Sequence, residues 1–503
     1  MQTLGEGDPA LASARSSPDA NANVLDSAAA GGRIVRGGAL RFLSYVAMVA
    51  LSVLSTGLLT RHLGLARFGR YTTVLSLVAI VAAITDAGMS AVGTREFAVR
   101  EGAEREQLMR DLLGLRIVLT ALGVVLVGGF ALAAGYPPAL FAGAVLASAG
   151  TVALVVQHTH TIPIGAELRI GTLSALELAR QALSVAAIVA LVLAGAGLLP
   201  LLAVVPAVNL ALIAPTAALA RGRISLRVGL HPRRWLGLLR LTVSYSLASA
   251  VGTLYVYAAQ IITSLVASER QSGLFAASFR IFIVAGGVSG LLAGGALPLL
   301  ARAARDDRER LGYALNRIFE VSLILGVGAA LAMLAGAQFV VRVVAGPRYA
   351  GSAAVLEIQG LALIATFVLG GWNLALVSLE RYASLVRANL VALAVSVSLT
   401  VLLAGAHGAR GAALATVCGE SVLALGTLFA LVRAAPEFRP RPAVLAKVAG
   451  AAVSATALAL APDLPSLARL ALALGAYGLV IGLTRAMPRE LLELLPARLG
   501  RVV

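Results

Sequence analysis

The chain is built from long runs of apolar residues that charges seldom interrupt. A helix that crosses the hydrocarbon core of a bilayer needs about 20 such residues in succession. Read at that length, the sequence gives fourteen candidate spans. They fall near residues 38–60, 71–92, 113–134, 138–157, 175–196, 199–220, 241–266, 274–300, 318–341, 353–378, 385–405, 409–432, 443–461 and 466–484. Pro137 and Pro138 suit a tight turn between the third and fourth. The strands of a transmembrane barrel alternate apolar and polar residues, and these runs do not. Composition removes the remaining classes. The chain is 59% hydrophobic and 13% charged, whereas soluble domains are about 45–50% apolar and about 25% charged. A soluble globular fold, a disordered chain and a disulfide scaffold are all excluded. The one cysteine, Cys418, lies within an apolar run and permits no intrachain disulfide. The expected fold class is an all-α polytopic membrane protein with about 14 transmembrane helices.

A net charge of +17 would suit a nucleic-acid partner if it formed one patch. The charges instead form short clusters between the apolar runs. Of the 41 basic residues all but Lys447 are Arg. Most lie in the two tails and the even-numbered loops, with the heaviest clusters at Arg95–Arg116, Arg221–Arg240 and Arg302–Arg317. Basic residues mark cytoplasmic loops. The pattern predicts cytoplasmic N- and C-termini, an even number of helices and no nucleic-acid partner. Residues 1–36 read as a disordered cytoplasmic tail without the apolar segment of a cleaved signal peptide. Residues 485–503 form a second cytoplasmic tail, with Leu491, Leu492, Leu494, Leu495 and Leu499 among charges. Residues 94–116 read as a short amphipathic helix. Either segment suits the cytoplasmic interface or a solvated connector.

The first span opens Leu40-Arg41-Phe42-Leu43-Ser44-Tyr45, and the seventh opens Leu239-Arg240-Leu241-Thr242-Val243-Ser244-Tyr245. Gly69-Arg70-Tyr71 and Gly273-Leu274-Phe275 follow at corresponding places. An offset of six helices preserves orientation, so the repeat is parallel. It predicts an N-terminal six-helix lobe over 37–221, a cytoplasmic connector over 222–240 and a C-terminal six-helix lobe over 241–432. An added helix pair follows at 443–484.

Two stretches near the start carry a family resemblance. One runs Gly57-Leu58-Leu59-Thr60-Arg61-His62-Leu63-Gly64-Leu65-Ala66-Arg67-Phe68-Gly69-Arg70-Tyr71. The other is Asp86-Ala87-Gly88 followed by Thr94-Arg95-Glu96. Together they resemble the bacterial polysaccharide flippases of the multidrug/oligosaccharidyl-lipid/polysaccharide (MOP) superfamily, which transport O-antigen and exopolysaccharide units. Gly273-Leu274-Phe275-Ala276-Ala277-Ser278-Phe279-Arg280 is similar to the family's eighth helix. Gly411-Ala412-Ala413-Leu414-Ala415-Thr416 with Glu420 is similar to its twelfth. The resemblance implies a MATE-like fold of two lobes around a central cavity, worked by alternating access. It also implies a polyprenyl-(pyro)phosphate-linked oligosaccharide as substrate. Members often carry an acidic residue in the seventh helix, near Ala259-Gln260 here. This chain has none there and no carboxylate in the first helix, which puts ion coupling through those positions in doubt.

Ionisable groups inside a bilayer are costly, about 2.5–3.5 kcal/mol at a helix centre, and usually face a cavity. Arg280 in the eighth helix offers a donor fork that matches phosphate or carboxylate oxygens. It reads as a substrate contact or as an arginine snorkelling to the outer interface. Tyr255, Tyr257 and Gln260 in the seventh helix and Asn373 in the tenth suit sugar binding, and equally suit ordinary helix interfaces. Glu420 is placed mid-span in the twelfth helix. It reads as a proton-coupling carboxylate or as a hydrogen-bond partner of a neighbouring helix. Asp86 is a second coupling candidate, or else pairs with Arg95 or caps a helix. Glu320 reads as interfacial. Gln157, His158 and His160 suit a cavity rim, since the two histidines do not share a helix face as ligands would. Gly286, Gly290 and Gly294 permit close helix approach. Pro206 and Pro215 should bend the sixth helix.

No HExxH, P-loop or long outward loop is present, so no enzyme is expected. The reading is a multi-pass protein of the bacterial cytoplasmic membrane. It would flip a polyprenyl-linked saccharide from the inner to the outer leaflet for cell-surface polysaccharide synthesis. Glycosyltransferases or a polymerase of the same pathway would be partners. No cofactor is expected beyond H+ or Na+ coupling. The alternatives are a MATE-like exporter, a flippase for the peptidoglycan lipid precursor, and a membrane-embedded enzyme or assembly protein of envelope polysaccharide synthesis.

Overall fold

The computed structural model describes residues 28–86, 88–167, 169–220, 228–294, 300, 303–304, 307–461 and 464–486. Twelve helices among them are long and apolar enough to cross a membrane. Two of these each hold two crossings, which brings the total to the fourteen expected from sequence. Ala28–Asp86 breaks at Gly64, in the left-handed region at φ 69°. Thr56 and Thr72, on either side of the break, line one cavity. On a straight helix they would stand about 24 Å apart, so the chain reverses. Tyr382–Ala434 breaks likewise at Gly408, φ 60°. A Cβ placed on Gly411 would meet the Leu403 carbonyl oxygen at 1.9 Å, an approach that only a reversal allows. Left-handed backbone costs glycine nothing and other residues about 1–2 kcal/mol. The side chain of Gln271 secures the second break by accepting a hydrogen bond from the Ala409 amide at 3.0 Å.

The first and second spans are the two arms of Ala28–Asp86. The third is Gly102–Ala133 and the fourth Pro138–Ala149 continuing as Thr151–Ala166. The fifth and sixth are Ile170–Leu193 and Leu198–Leu219. The seventh and eighth are Pro232–Val266 and Glu269–Gly294. The ninth and tenth are Arg308–Val344 and Ser352–Ser378. The arms of Tyr382–Ala434 are the eleventh and twelfth. Pro442–Ala459 and Ser466–Leu483 close the series.

The boundaries differ from expectation in an instructive way. The third helix starts at Gly102 and the short helix Met89–Val99 precedes it. The amphipathic helix expected over 94–116 is thus two pieces, the second continuous with a span. The seventh helix starts at Pro232, a residue suited to a first helical turn. It takes in the second half of the expected connector, whose residues 221–227 lie outside the described residues. The chain is already helical at Ala28, while the earlier part of the N-terminal tail and the C-terminal tail from residue 487 are outside them too.

Lipid tails are as apolar as leucine, so helices in a membrane associate by close packing rather than by burial from water. The chain follows that rule. Gly123 packs on Val81, Gly326 on Ile364 and Phe367, and Gly360 on Met333. Large apolar side chains such as Leu193, Leu402 and Leu483 remain exposed on the perimeter. Spans three to six pack on one another and on the first hairpin, and spans seven to twelve form a second group. The groups meet chiefly where the first hairpin lies against the seventh and eighth spans. The last pair leans on the ninth.

Candidate functional site: a cationic cavity between the helix groups

At the end of the bundle carrying Gly64 the two groups are in tight contact. A Cβ on Gly273 would fall 2.1 Å from the Leu65 carbonyl oxygen, and one on Gly69 would fall 3.0 Å from the Gly273 nitrogen. These are the glycines that the sequence repeat equates. Around them Arg70 pairs with Glu269, and Arg61 Nη2 donates to the Val343 carbonyl at 2.8 Å. Phe68 meets Tyr349 edge to face at 6.0 Å.

Beneath this closure lies a cavity of about 230 Å³. Seven spans, five of the first group and two of the second, contribute polar side chains: Thr56, Thr72 and Ser76, Thr151, Arg180, Asn209, Tyr257 and Arg280. Arg280 lies eleven residues into its helix, about 16 Å along the axis. It lines this cavity, and its charge reaches the buried Tyr71. Among the described residues it has no hydrogen-bond or ion-pair partner. Arg180 is different: Nε donates to Glu177 Oε2 at 3.2 Å and Nη2 bonds the other carboxylate oxygen. Sequence reasoning does not single out Arg180. Its place inside an apolar run was the available signal. Asn209 donates to the Gly150 carbonyl at 3.4 Å, where the fourth span is interrupted and Pro206 packs against Gly150.

A second cavity of about 180 Å³ lies within the C-terminal group. Glu420 faces it, accepting from Tyr255 Oη at 3.0 Å and from Thr366 Oγ1 at 2.8 Å. Phe279 and Ile283 line both cavities and so form the partition. Tyr257 stands on the first side, edge to face with Phe279 at 6.0 Å, and Tyr255 on the second. Arg280 and Glu420 therefore address adjoining spaces, separated by one apolar wall.

The other predicted residues are placed elsewhere. Gln260 is fully buried and lines neither cavity. Its Nε2 contacts Thr73 Oγ1 at 3.3 Å and Ser272 Oγ at 3.4 Å, which ties the two groups together. Asn373 is half-buried in the tenth span away from both cavities. Asp86 pairs with Arg116 at 2.9 Å rather than with Arg95. Arg116 also reaches Ser90 at 2.7 Å and Thr159 at 3.0 Å. The charges of Arg116, Asp86, Arg180 and Glu177 all act on His158, so spans two to five share one charge network at the end of the bundle away from Gly64. Glu320, expected at an interface, is buried and bonded to Arg317 at 2.8 Å.

No family model matches the sequence. No curated protein matches it either. Solved structures do match in fold. The lipid II flippase MurJ in an inward closed conformation aligns with a TM-score of 0.75 at 10% identity, over 88% of this chain and 98% of that one. An inward-facing multidrug resistance MATE family transporter of the MOP superfamily aligns at 0.61 and 13% identity, over 80% and 98%. A MOP superfamily transporter from Pyrococcus furiosus aligns at 0.57 and 15% identity, over 80% and 96%.

Proposed function

We propose that this chain, whose fold is that of the MOP superfamily transporters, is a flippase for a polyprenyl-(pyro)phosphate-linked oligosaccharide. It moves the lipid-linked unit from the inner to the outer leaflet of a bacterial cytoplasmic membrane by alternating access. Glycosyltransferases or a polymerase of the same pathway supply and consume that unit. The observation that carries the reading is the unpaired Arg280, lining a cavity between two helix groups. A phosphate or sugar acid satisfies it; a small organic cation is repelled by it. Tyr257 and Asn209 on the same cavity supply a stacking face and an amide for sugar hydroxyls. The polyprenyl tail stays in the bilayer while the head crosses. The arginine-rich end of the bundle is taken as cytoplasmic because basic residues are retained on that side.

One observation favours a second reading. The MurJ structure aligns over 88% of the chain, and a peptidoglycan lipid precursor has the same polyprenyl pyrophosphate chemistry. Proteoliposomes separate the two. The purified chain should move a fluorescent polyprenyl pyrophosphate oligosaccharide between leaflets faster than protein-free vesicles do, and should prefer it to the peptidoglycan precursor. No leaflet transfer of either lipid would end the flippase reading.

Glu420 is the proposed coupling carboxylate. Its partners, Tyr255 and Thr366, come from two other helices, so a change in its proton or Na+ occupancy would alter how three helices pack. Glu420→Gln keeps the shape and cannot ionise. Transport by this variant should lose its response to an imposed pH or Na+ gradient while the unstimulated rate persists. An unchanged gradient response would remove Glu420 from coupling. Asp86, held by Arg116, is the weaker coupling candidate.

A further inference from the structure

On the perimeter of the C-terminal group, away from both cavities above, a groove of about 390 Å³ runs between the eleventh and twelfth spans. Three arginines, Arg381, Arg387 and Arg433, line it. Among the described residues none of them has an acidic partner. Two are held in place by other means. Arg387 donates to Ser384 Oγ and to the Ala383 carbonyl, each at 3.3 Å. Arg433 stacks over the Phe429 ring, 4.0 Å from its centroid. Arg381 precedes the first turn of the eleventh helix, whose positive dipole end adds to the field.

The rest of the groove is apolar, with walls formed by Val391, Val422 and Ala430. Val391 is 56% exposed and Phe429 59% exposed, so the groove opens on the surface that meets lipid. Three arginines cluster at one end of an apolar trough that lies along the membrane. Such basic pockets between helices suit anionic lipid headgroups. A free phosphate has no use for the apolar wall. The groove shares no lining residue with the interlobe cavity, which sets it apart from the path proposed for the transported lipid.

We propose that this groove binds an anionic phospholipid of the surrounding bilayer, with the headgroup phosphate among Arg381, Arg387 and Arg433 and an acyl chain along the apolar wall. The site is peripheral to transport and bridges the two arms of one helical hairpin.

The test uses the full-length chain purified in neutral detergent. It is titrated with phosphatidylglycerol, phosphatidylcholine, polyprenyl pyrophosphate and inorganic pyrophosphate, and bound species are read by native mass spectrometry. Phosphatidylglycerol should be retained in preference to phosphatidylcholine. Each basic residue near the membrane surface contributes about fivefold to such binding, so Arg381→Gln, Arg387→Gln or Arg433→Gln alone should reduce the preference about fivefold. The triple variant should abolish it. A control triple, Arg95→Gln with Arg233→Gln and Arg240→Gln, removes the same charge from exposed sites elsewhere and should retain it. The single variants keep the test readable if the triple does not fold. Equal retention of the two phospholipids, or a preference that survives the triple variant or is lost in the control, overturns the proposal. So does preferential binding of polyprenyl pyrophosphate or of inorganic pyrophosphate at these three arginines.

Discussion

Asp86→Ala should lower the thermal stability of the purified chain markedly. The expected loss is about 3 kcal/mol, the lower end of the ~3–5 kcal/mol that follows when one partner of a buried ion pair is removed. The lower end applies because Asp86 is itself 38% exposed, whereas Arg116 is 1% exposed. Without the carboxylate the guanidinium is left with two hydroxyls, Ser90 and Thr159. It cannot shed its proton to escape the cost. Asp86→Asn keeps an acceptor and should lose less. Replacing the pair together, Asp86→Leu with Arg116→Met, should recover most of the stability, because exchanging a whole buried pair for apolar groups is often neutral. Unfolding followed by intrinsic fluorescence in detergent checks all three. An unchanged transition for Asp86→Ala would mean that Arg116 reaches water and that the network carries no stability.

The same residues mark where the sequence was legible and where it was not. Run length was enough for the number of crossings, because the bilayer imposes a length on every span. Gly64 and Gly408 lie between apolar runs, so the two hairpins could be anticipated. The reach of each helix beyond the hydrocarbon could not. Gly102–Ala133 has 32 residues and is about 48 Å long, well beyond a core of about 30 Å. Its first turns therefore carry charges that look like a separate amphipathic segment. Arg116 shows the consequence: it ends a segment that suits an interface or a solvated connector, and is instead the most deeply buried arginine of the network. Side-chain direction was the other missing quantity. Tyr255 and Tyr257 are two residues apart on one helix and so point to different faces, one to Glu420 and the other toward Arg280. Periodicity without a known partner helix does not say which is which.

Arg280→Ala should reduce transport of a pyrophosphate-linked saccharide by about 100-fold or more and leave the folded chain as stable as before. The contrast with Asp86 follows from pairing. Arg280 has no partner within the described protein, so its removal leaves no buried charge unsatisfied. What is lost is the contact to substrate. A charge-assisted hydrogen bond contributes about 1.5–3 kcal/mol, and a guanidinium can make two to a phosphate. At about 1.4 kcal/mol per decade, two bonds at the lower figure already give 100-fold. Arg280→Lys keeps the charge but not the fork, and should recover part of the rate. Arg180→Gln tests whether the second arginine of the cavity shares the task. Because Glu177 already holds its guanidinium, the expected loss is smaller, about tenfold by the same scale. Flipping rates in proteoliposomes, with unfolding transitions measured on the same preparations, distinguish these outcomes. Full transport by Arg280→Ala would remove the phosphate contact from this cavity. A loss of transport accompanied by an equal loss of stability would make Arg280 a structural residue and leave the substrate path to be sought around Arg180 and Asn209.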